Sequence, residues 1–403
     1  MGNLAISGGT PVRTKPFPSW PERSDRQLEM ITEVFNSPDW GVGSGHIRQF
    51  EERFAEFHHA KYGQAISNGT AALWVALKAA GVSAADEVIV PPYTFIATAS
   101  AVLTANGVPV FVDIDPDTYN IDASKIEAAI TNRTKAIIAV HIAGSPADMD
   151  AINAVAQKHD LAVIEDAAQA HGAEWKGRRV GAIGDVGTFS FQSTKNMCAG
   201  EGGICVTDDE GLADRCHSFA NCGRVRGGKW YEHHVLGSNC RMPALCAAIL
   251  LAQFDEVEDQ MARRDRNAGV LTDLLSDIDG VDPLKLHAGA TRSAWHLYVF
   301  RYRADGFDGV PREKFIEAMC AEGINCGAGY VPLYREELFQ IDPRDFPWLE
   351  GRDYGALNLP VCEHACDHES VWLFQSQLLG DESDMHDVAA AVKKIRDYLD
   401  ELK

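Results

Sequence analysis

The chain has 403 residues, 46% hydrophobic and 24% charged, the balance of a globular protein that can bury a sizeable core without disulfides or a structural metal. Thirty-seven Lys+Arg against 58 Asp+Glu leave a net charge of −21, which argues against a phosphate-tracking nucleic-acid binder or a protein of anionic membranes. It still leaves room for one local basic pocket. The opening MGNLAISGGTPVRTKPFPSWPERSD lacks a basic start followed by an apolar run, and no stretch offers ~18 uninterrupted apolar residues, so a cytoplasmic protein is expected. The ten cysteines are scattered, as reduced thiols are, and suggest no disulfide framework.

In chain order, residues 1–25 carry Gly8-Gly9, four prolines and Trp20, and read as an extended arm that packs on something else. Apolar residues recur at helical spacing over Gln27–Phe35 and His46–His58. An alternation follows: strand Gln64–Ser67, helix Ala71–Ala80, strand Glu87–Val90, helix Thr98–Ala105, strand Val108–Val112. It continues through Ala123–Ile130, Ala136–Val140, Asp148–His159 and Ala162–Ile164, with strands at Gly187–Gln192 and Gly203–Thr207. Strands that alternate with helices need crossover connections, hence a mostly parallel sheet covered on both faces. One long helix is predicted from Met242 to about Leu275, then a strand over Ala294–Arg303 and helices over Arg312–Glu322 and His386–Leu402. The fold class expected is α/β. Its parts are an arm (1–25), a large domain (26–265) and a smaller C-terminal α+β domain (266–403), with the boundary near 262–282.

The chemistry concentrates between Val163 and Gly203. VIEDAAQAHGA is an apolar strand ending in Glu165-Asp166, and acidic residues at the carboxyl end of a parallel strand lie where open α/β sheets bind ligands. Lys195 follows Asp166 by 29 residues, just past another strand, with Gly200-Glu201-Gly202-Gly203 behind it to permit a tight turn. One lysine, one strand-end carboxylate and small polar neighbours suit pyridoxal phosphate. Its aldehyde needs an amine, its ring nitrogen an anionic partner, and its phosphate needs hydroxyls and amides at a helix N-terminus. Ser67-Asn68-Gly69-Thr70, between a strand and a helix, is such a cradle and is neither a Walker loop nor a dinucleotide fingerprint. Taken singly, a strand-end Asp is often a helix cap and a lysine there a surface charge. The joint occurrence, in this order, carries the reading.

ISNGTAAL (66–73), DEVIVPPYTFIATA (86–99), PVFVDIDPDTYNID (109–122), VHIAGSPADMDAI (140–152), VIEDAAQAHGA (163–173), the lysine segment and LGSNCRM (236–242) resemble the DegT/DnrJ/EryC1/StrS aminotransferases. GGTPVRTKPFPSWP (8–21), GAGYVPLYRE (327–336) and LPVCEHACDHESVWLFQSQLLG (359–380) look like the branch of L-glutamine:scyllo-inosose aminotransferases and 3-amino-5-hydroxybenzoate synthases. The resemblance implies the fold type I architecture with a seven-stranded central sheet, and amination of a keto sugar or keto cyclitol by L-glutamine or L-glutamate. It implies that Lys195 is the Schiff-base and proton-shuttling lysine, that Asp166 pairs with the pyridinium nitrogen and that Gln169 lies near the ring hydroxyl. Phe95 matches the aromatic stacked on the ring, with Tyr93 a competing choice; Thr70, Ala71 and Ser190 match phosphate contacts. Asn239 matches an asparagine that reaches the cofactor of a neighbouring subunit, which implies a homodimer. Tyr93, Arg241 and Tyr330 are candidate substrate contacts.

Cys240 departs from the aromatic usual before that arginine, and S-T-K-N resembles cyclitol aminotransferases more than benzoate synthases. A dehydrating or aromatising enzyme would need the same lysine, and a catalytically silent PLP-fold partner would have no physical reason to keep Lys195, Asp166, Gln169 and Ser190. Cys362, His364, Cys366 and His368, read as alternate residues of one strand, make a poor metal site, because tetrahedral sites draw pairs from two elements. Arg224, Arg226 and Lys229 with Trp230 read either as a solvated loop or as a flap closing over a polar substrate.

Overall fold

The computed structural model describes every residue except Met1, Ile341 and Pro343. Helix α1 (Asp25–Asn36) starts at a capping box between Ser24 and Gln27, and α2 (Gly45–Phe57) starts at Ser44. Strands and helices then alternate as β1 (Tyr62–Ile66), α3 (Gly69–Ala79), β2 (Glu87–Val90), α4 (Ala97–Thr104) and β3 (Val108–Phe111). The series goes on through a short α5 (Ala123–Ile126), β4 (Thr134–Val140), α6 (Met149–His159) and β5 (Ala162–Asp166). A two-residue ribbon of β6 (Glu174–Trp175) and β7 (Arg178–Arg179) precedes β8 (Val186–Ser190) and β9 (Gly203–Thr207).

These strands form a seven-stranded sheet in the order β1-β9-β8-β5-β4-β2-β3. Strands β8, β5, β4, β2 and β3 are parallel neighbours, and β9 runs against both β1 and β8. The expected α/β class and mostly parallel sheet are thus what the chain adopts. One face carries α3, α4 and, from after β9, α7 (Glu210–Ala220), packed through Leu73, Leu77, Val102 and Leu212. The other is covered by α2, α6 and α8 (Ala244–Gln253), packed through Phe50, Phe54, Ile152 and Leu250.

The long helix expected over 242–275 is two helices. Helix α8 ends in tightened turns, with amides 254, 255 and 256 each bonding three residues back, and α9 (Val257–Ser276) follows as a separate helix. The break lets Gln253 turn inward: its side chain accepts from the Cys198 amide and donates to the Cys198 carbonyl, at 3.0 and 2.6 Å. Helix α9 passes through residue 265, with Met261 in the large core and Leu271 and Leu275 in the C-terminal one.

The C-terminal part contains β10 (Val281–Pro283), β11 (Ala290–Arg292), β12 (Leu297–Tyr302) and α10 (Arg312–Ala321), then α11 (Pro360–His364), β13 (Ser370–Phe374) and α12 (Glu382–Asp397). Strands β10, β12 and β13 form its sheet, while β11 joins β6. Residues 362–368 are not a strand: they continue α11 into a wider turn. Cys362 and Cys366 therefore share a face, buried with sulfurs 3.8 Å apart, and the His364 and His368 rings lie against each other 5.3 Å apart. Among the described residues, no helix is long and apolar enough to cross a membrane.

Glu165 shows how β5 is locked. It is fully buried; Oε2 accepts from His141 Nε2 and the Gly181 amide, and Oε1 from the Ile183 and Gly184 amides, at 2.7–2.9 Å. Burial alone would raise its pKa, yet the His141 and amide bonds hold it below the ordinary value. A depressed carboxyl contributes stability above its unfolded pKa and loses it as pH falls through the folded one. Glu165→Ala, which orphans His141 and three amides, is expected to cost about 3 kcal/mol or more in denaturant unfolding at neutral pH. Unchanged unfolding would show that the turn at 181–184 finds other partners.

Candidate active site

Asp166 ends β5 in the middle of the sheet and points to the face opposite Glu165, because successive strand residues alternate. Its Oδ2 accepts from Thr98 Oγ1 at 2.8 Å and its Oδ1 from the Ala168 amide at 3.3 Å. Thr98 lies in the first turn of α4, and the Thr94 hydroxyl 3.0 Å away donates to it, since the Thr98 proton is given to Asp166. Both donors to Asp166 are neutral. Burial accordingly raises the Asp166 pKa, with Thr98, the Ala168 amide and the Lys195 charge pulling it back.

Lys195 lies in the turn after β8. Its stem is half-buried, and burial of the amine pushes the pKa down to about 8, with Asp166 acting against that. The amine makes no hydrogen bond within the described residues. The turn itself is tightly fastened: Lys195 N–H donates to the Gln192 carbonyl, Ser193 to Gly200, Ala199 to Phe191, and Asn196 Nδ2 to the Ala294 carbonyl at 2.6 Å. Gly200 and Gly202 have positive φ, the conformation foreseen for the glycine-rich turn. Behind the lysine are His171 and His296, both buried; burial and then Lys195 push His171 down to about 3, so it stays neutral.

The α3 N-terminus presses on the same edge. A Cβ at Gly69 would sit 2.7 Å from Ser190 Cβ, and one at Gly203 only 2.5 Å from the Asn68 carbonyl, so glycine permits both approaches. Asn68 caps the helix, Oδ1 accepting from the Ala71 amide at 2.8 Å. The Ala71 N–H singled out above is thus taken by the cap, whereas the Gly69 and Thr70 amides have no acceptor within the described residues. The Ser190 side chain lies against Gly69, so these two amides and that hydroxyl are the polar groups at this helix start that an anion could use.

Gln169 bridges two elements, Oε1 accepting from the Ala143 amide at 2.7 Å and Nε2 donating to Tyr330 Oη at 2.9 Å. Tyr330 packs edge-on against Tyr93 and Trp372. Tyr93 is fully buried, its hydroxyl engaged by Ser370 at 2.6 Å and Trp372 at 2.9 Å, a wall position. Phe95, one turn before Thr98, is 56% exposed and presents its ring outward. Residues 239–241 run beside the end of β1, where the Ser67 amide donates to the Cys240 carbonyl at 2.7 Å. Asn239 is exposed there. Arg241 Nη1 is occupied by Asn221 Oδ1 at 3.1 Å and by Cys222. In the exposed loop 222–238, Arg226 pairs with Asp214 and Gln64, and Arg224 covers the Trp230 ring.

The donor set fits pyridoxal phosphate: a buried carboxylate bonded only by neutral donors, a buried amine without a hydrogen bond, and two amides and a hydroxyl converging at a helix start. Sequence reasoning missed Thr98, Asn196, Gln253 and Trp20. Each reaches a segment distant in sequence through side-chain hydrogen bonds, which no local spacing announces.

The architecture is that of the fold type I pyridoxal-phosphate transferases. Residues 21–393 match the DegT/DnrJ/EryC1/StrS aminotransferase family, and the chain belongs to it. A Streptoalloteichus tenebrarius protein provisionally named L-glutamine:3-amino-2,3-dideoxy-scyllo-inosose aminotransferase is 42% identical over 99% of both chains. The L-glutamine:2-deoxy-scyllo-inosose aminotransferase of the same organism is 39% identical, over 100% of this chain and 99% of its own. Among solved structures, 3-amino-5-hydroxybenzoic acid synthase superposes with a TM-score of 0.87 at 33% identity, covering 96% of this chain and 100% of that one.

Because its amine titrates near 8, Lys195 of the cofactor-free protein is expected to take up an acylating probe with a midpoint at about 8, below that of ordinary surface lysines. Asp166→Asn removes the opposing charge and should move that midpoint lower still. Site-resolved mass spectrometry across pH reads both, and a Lys195 midpoint above 10 would contradict the burial argument.

Proposed function

We propose that the chain binds pyridoxal phosphate at this edge and aminates a keto cyclitol with L-glutamine. The observation that carries the reading is the unbonded, pKa-depressed amine of Lys195 coupled to the buried Asp166. When bound, the cofactor supplies an aldehyde that joins an amine and an electron-poor ring that takes up the electron pair released at the neighbouring carbon.

The residues divide the remaining work. Lys195 would hold the cofactor through its amine and, as a free amine, would move the proton at the substrate carbon. Asp166, held by Thr98 and the Ala168 amide, would keep a proton on the ring nitrogen. Gln169 would lie on the ring-hydroxyl side and Phe95 would line the ring, and the Gly69 and Thr70 amides with Ser190 would hold the phosphate; Ala71 supports that cradle through the Asn68 cap. In the net exchange the donor's α-amino group ends on the former keto carbon and the donor leaves as its 2-oxo acid. The keto-cyclitol class and the choice of L-glutamine over L-glutamate rest on the names of relatives at about 40% identity over full length.

A homodimer with shared sites is part of this proposal, supported by the exposed Asn239 and by exposed apolar residues before it in the same loop. Leu236 is 92% and Trp230 74% exposed, and Phe35 of α1 and Trp40 beyond it are also open. Such surface on so acidic a chain is what a two-fold interface covers. A second reading, a dehydrating enzyme, is favoured by the likeness to the benzoate synthase and uses the same lysine.

Two tests separate these readings. With pyridoxal phosphate the purified protein should show a visible band that Lys195→Ala lacks, and L-glutamine alone should bleach it. No band would sink the cofactor reading, and a band bleached by neither L-glutamine nor L-glutamate would favour the dehydrating enzyme. Mixing Lys195→Ala chains with Asn239→Ala chains should restore activity, because each mixed dimer then has one intact site. Without restoration, despite demonstrated subunit exchange, Asn239 leaves the site.

A further inference from the structure

The N-terminal arm reaches the catalytic turn. Trp20 Nε1 donates to the main-chain carbonyl of Lys195 at 3.1 Å, and among the described residues it is the one donor to that oxygen. The indole is itself held. The Arg264 guanidinium of α9 stands 5.3 Å from the ring centroid, Arg264 is 1% exposed, and its Nε and Nη2 are both spent on Gln375 Oε1. A buried cation without a carboxylate partner gains from an aromatic face. Its remaining nitrogen, Nη1, has no hydrogen-bond partner.

The chain on either side of Trp20 is fastened too. Two residues on, Glu22 accepts from Arg263 and from Gln260, each at 2.8 Å. Upstream, the Leu4 amide is held by Glu401, the Ala5 and Val12 amides by Glu322, and Arg13 by Asp384 and Asp387 at 2.7 Å. The arm thus lies on α10 and α12 of the C-terminal part and delivers one hydrogen bond to Lys195 in the large part.

We propose that Trp20 is a positioning residue for Lys195, fixing the main chain of the lysine turn so that the amine points toward Asp166 and the cofactor aldehyde. The argument is one of degrees of freedom. The Lys195 side chain makes no hydrogen bond within the described residues, so the backbone sets the root from which its torsions start and with it the range the amine can reach. Residues 191–200 are pinned at Gln192, Asn196 and Cys198, and the Lys195 carbonyl is the point between them that the indole closes. A peptide plane left free there would let the amine sample several orientations, and each one away from the cofactor is unproductive. The same link makes docking of the arm on the C-terminal part a condition for a fixed Lys195. This inference rests on the assignment of Lys195 as the cofactor lysine.

Trp20→Phe keeps a ring beneath Arg264 and removes the N–H; Glu22→Gln loosens the arm without touching Lys195. Three quantities would be compared with the unmodified protein: Lys195 acylation in the cofactor-free form, the rate of pyridoxal phosphate capture followed by the visible band, and kcat against KM. Trp20→Phe should alter the acylation rate, slow capture and lower kcat by about five-fold, the factor one neutral hydrogen bond is worth. KM and cofactor content at saturation should stay near the unmodified values. Glu22→Gln, which weakens the hold on the arm but leaves the indole N–H in place, should move the same three quantities in the same direction by a smaller factor and lower the unfolding midpoint. If Trp20→Phe changes only the unfolding midpoint, with acylation, capture and kcat unchanged, the indole is packing alone and the proposal is overturned. If the unmodified protein forms no band, the cofactor reading fails, and the acylation comparison then decides the role of Trp20 by itself.

Discussion

Burying a carboxyl and an amine at one edge of a sheet is the constraint around which this molecule is arranged. Removal from water disfavours the charged form of each, at an effective penalty on the order of several kcal/mol per ion. Asp166 responds with a raised pKa and Lys195 with one lowered to about 8, and each charge partly counters the shift in the other. A site built this way is costly until it holds a group that is cationic toward the carboxylate and electrophilic toward the amine. That match between what the residues lack and what pyridoxal phosphate offers is a stronger argument for the cofactor than any motif.

Neighbouring residues of β5 show how environment divides labour between like groups. Glu165 receives one imidazole and three amide donors and is held below its ordinary pKa, so it is a fixed anion that ties β4 and the 181–184 turn to β5. Asp166, on the opposite face, receives one hydroxyl and one amide and is pushed up. The first is saturated and structural, whereas the second keeps acceptor capacity for a ligand. The sheet sets this up, because its alternation sends adjacent side chains to opposite faces and β4 and β8 enclose β5 from both sides.

Much of this was legible in the residues. Strands and crossover helices up to residue 207 follow apolar period and turn chemistry, and the carboxylate, the lysine and the helix-start cradle are local signals at strand ends. What escaped was set by distant contacts or by ambiguous period. The helix expected across 242–275 breaks because Gln253 is drawn inward to Cys198, 55 residues away. Helix α7 is mixed in polarity, and strand β13 is only five residues long. The stretch Cys362–His368 fits both a strand and a helix; its i,i+4 cysteines decide for the helix only once their burial is known. Phe95 and Tyr93 illustrate the same limit: two aromatics two residues apart, one sealed behind Ser370 and Trp372 and the other open.

The segments that meet around Lys195 and Asp166 come from the arm, the starts of α3 and α4, the ends of β5 and β8, and residue 330. No contiguous half of the chain contains the site. Its parts answer to different cores, since the arm's Leu4 and Val12 pack with the C-terminal core while Phe191 and Met197, flanking Lys195, belong to the large one. Geometry at the lysine therefore reports on the relation between the two cores, and α9, which contributes to both, supplies Arg264 at the point where they join. A site assembled from so many segments holds its geometry through long-range packing before any ligand arrives, and the Trp20 bond to the Lys195 carbonyl is one such contact.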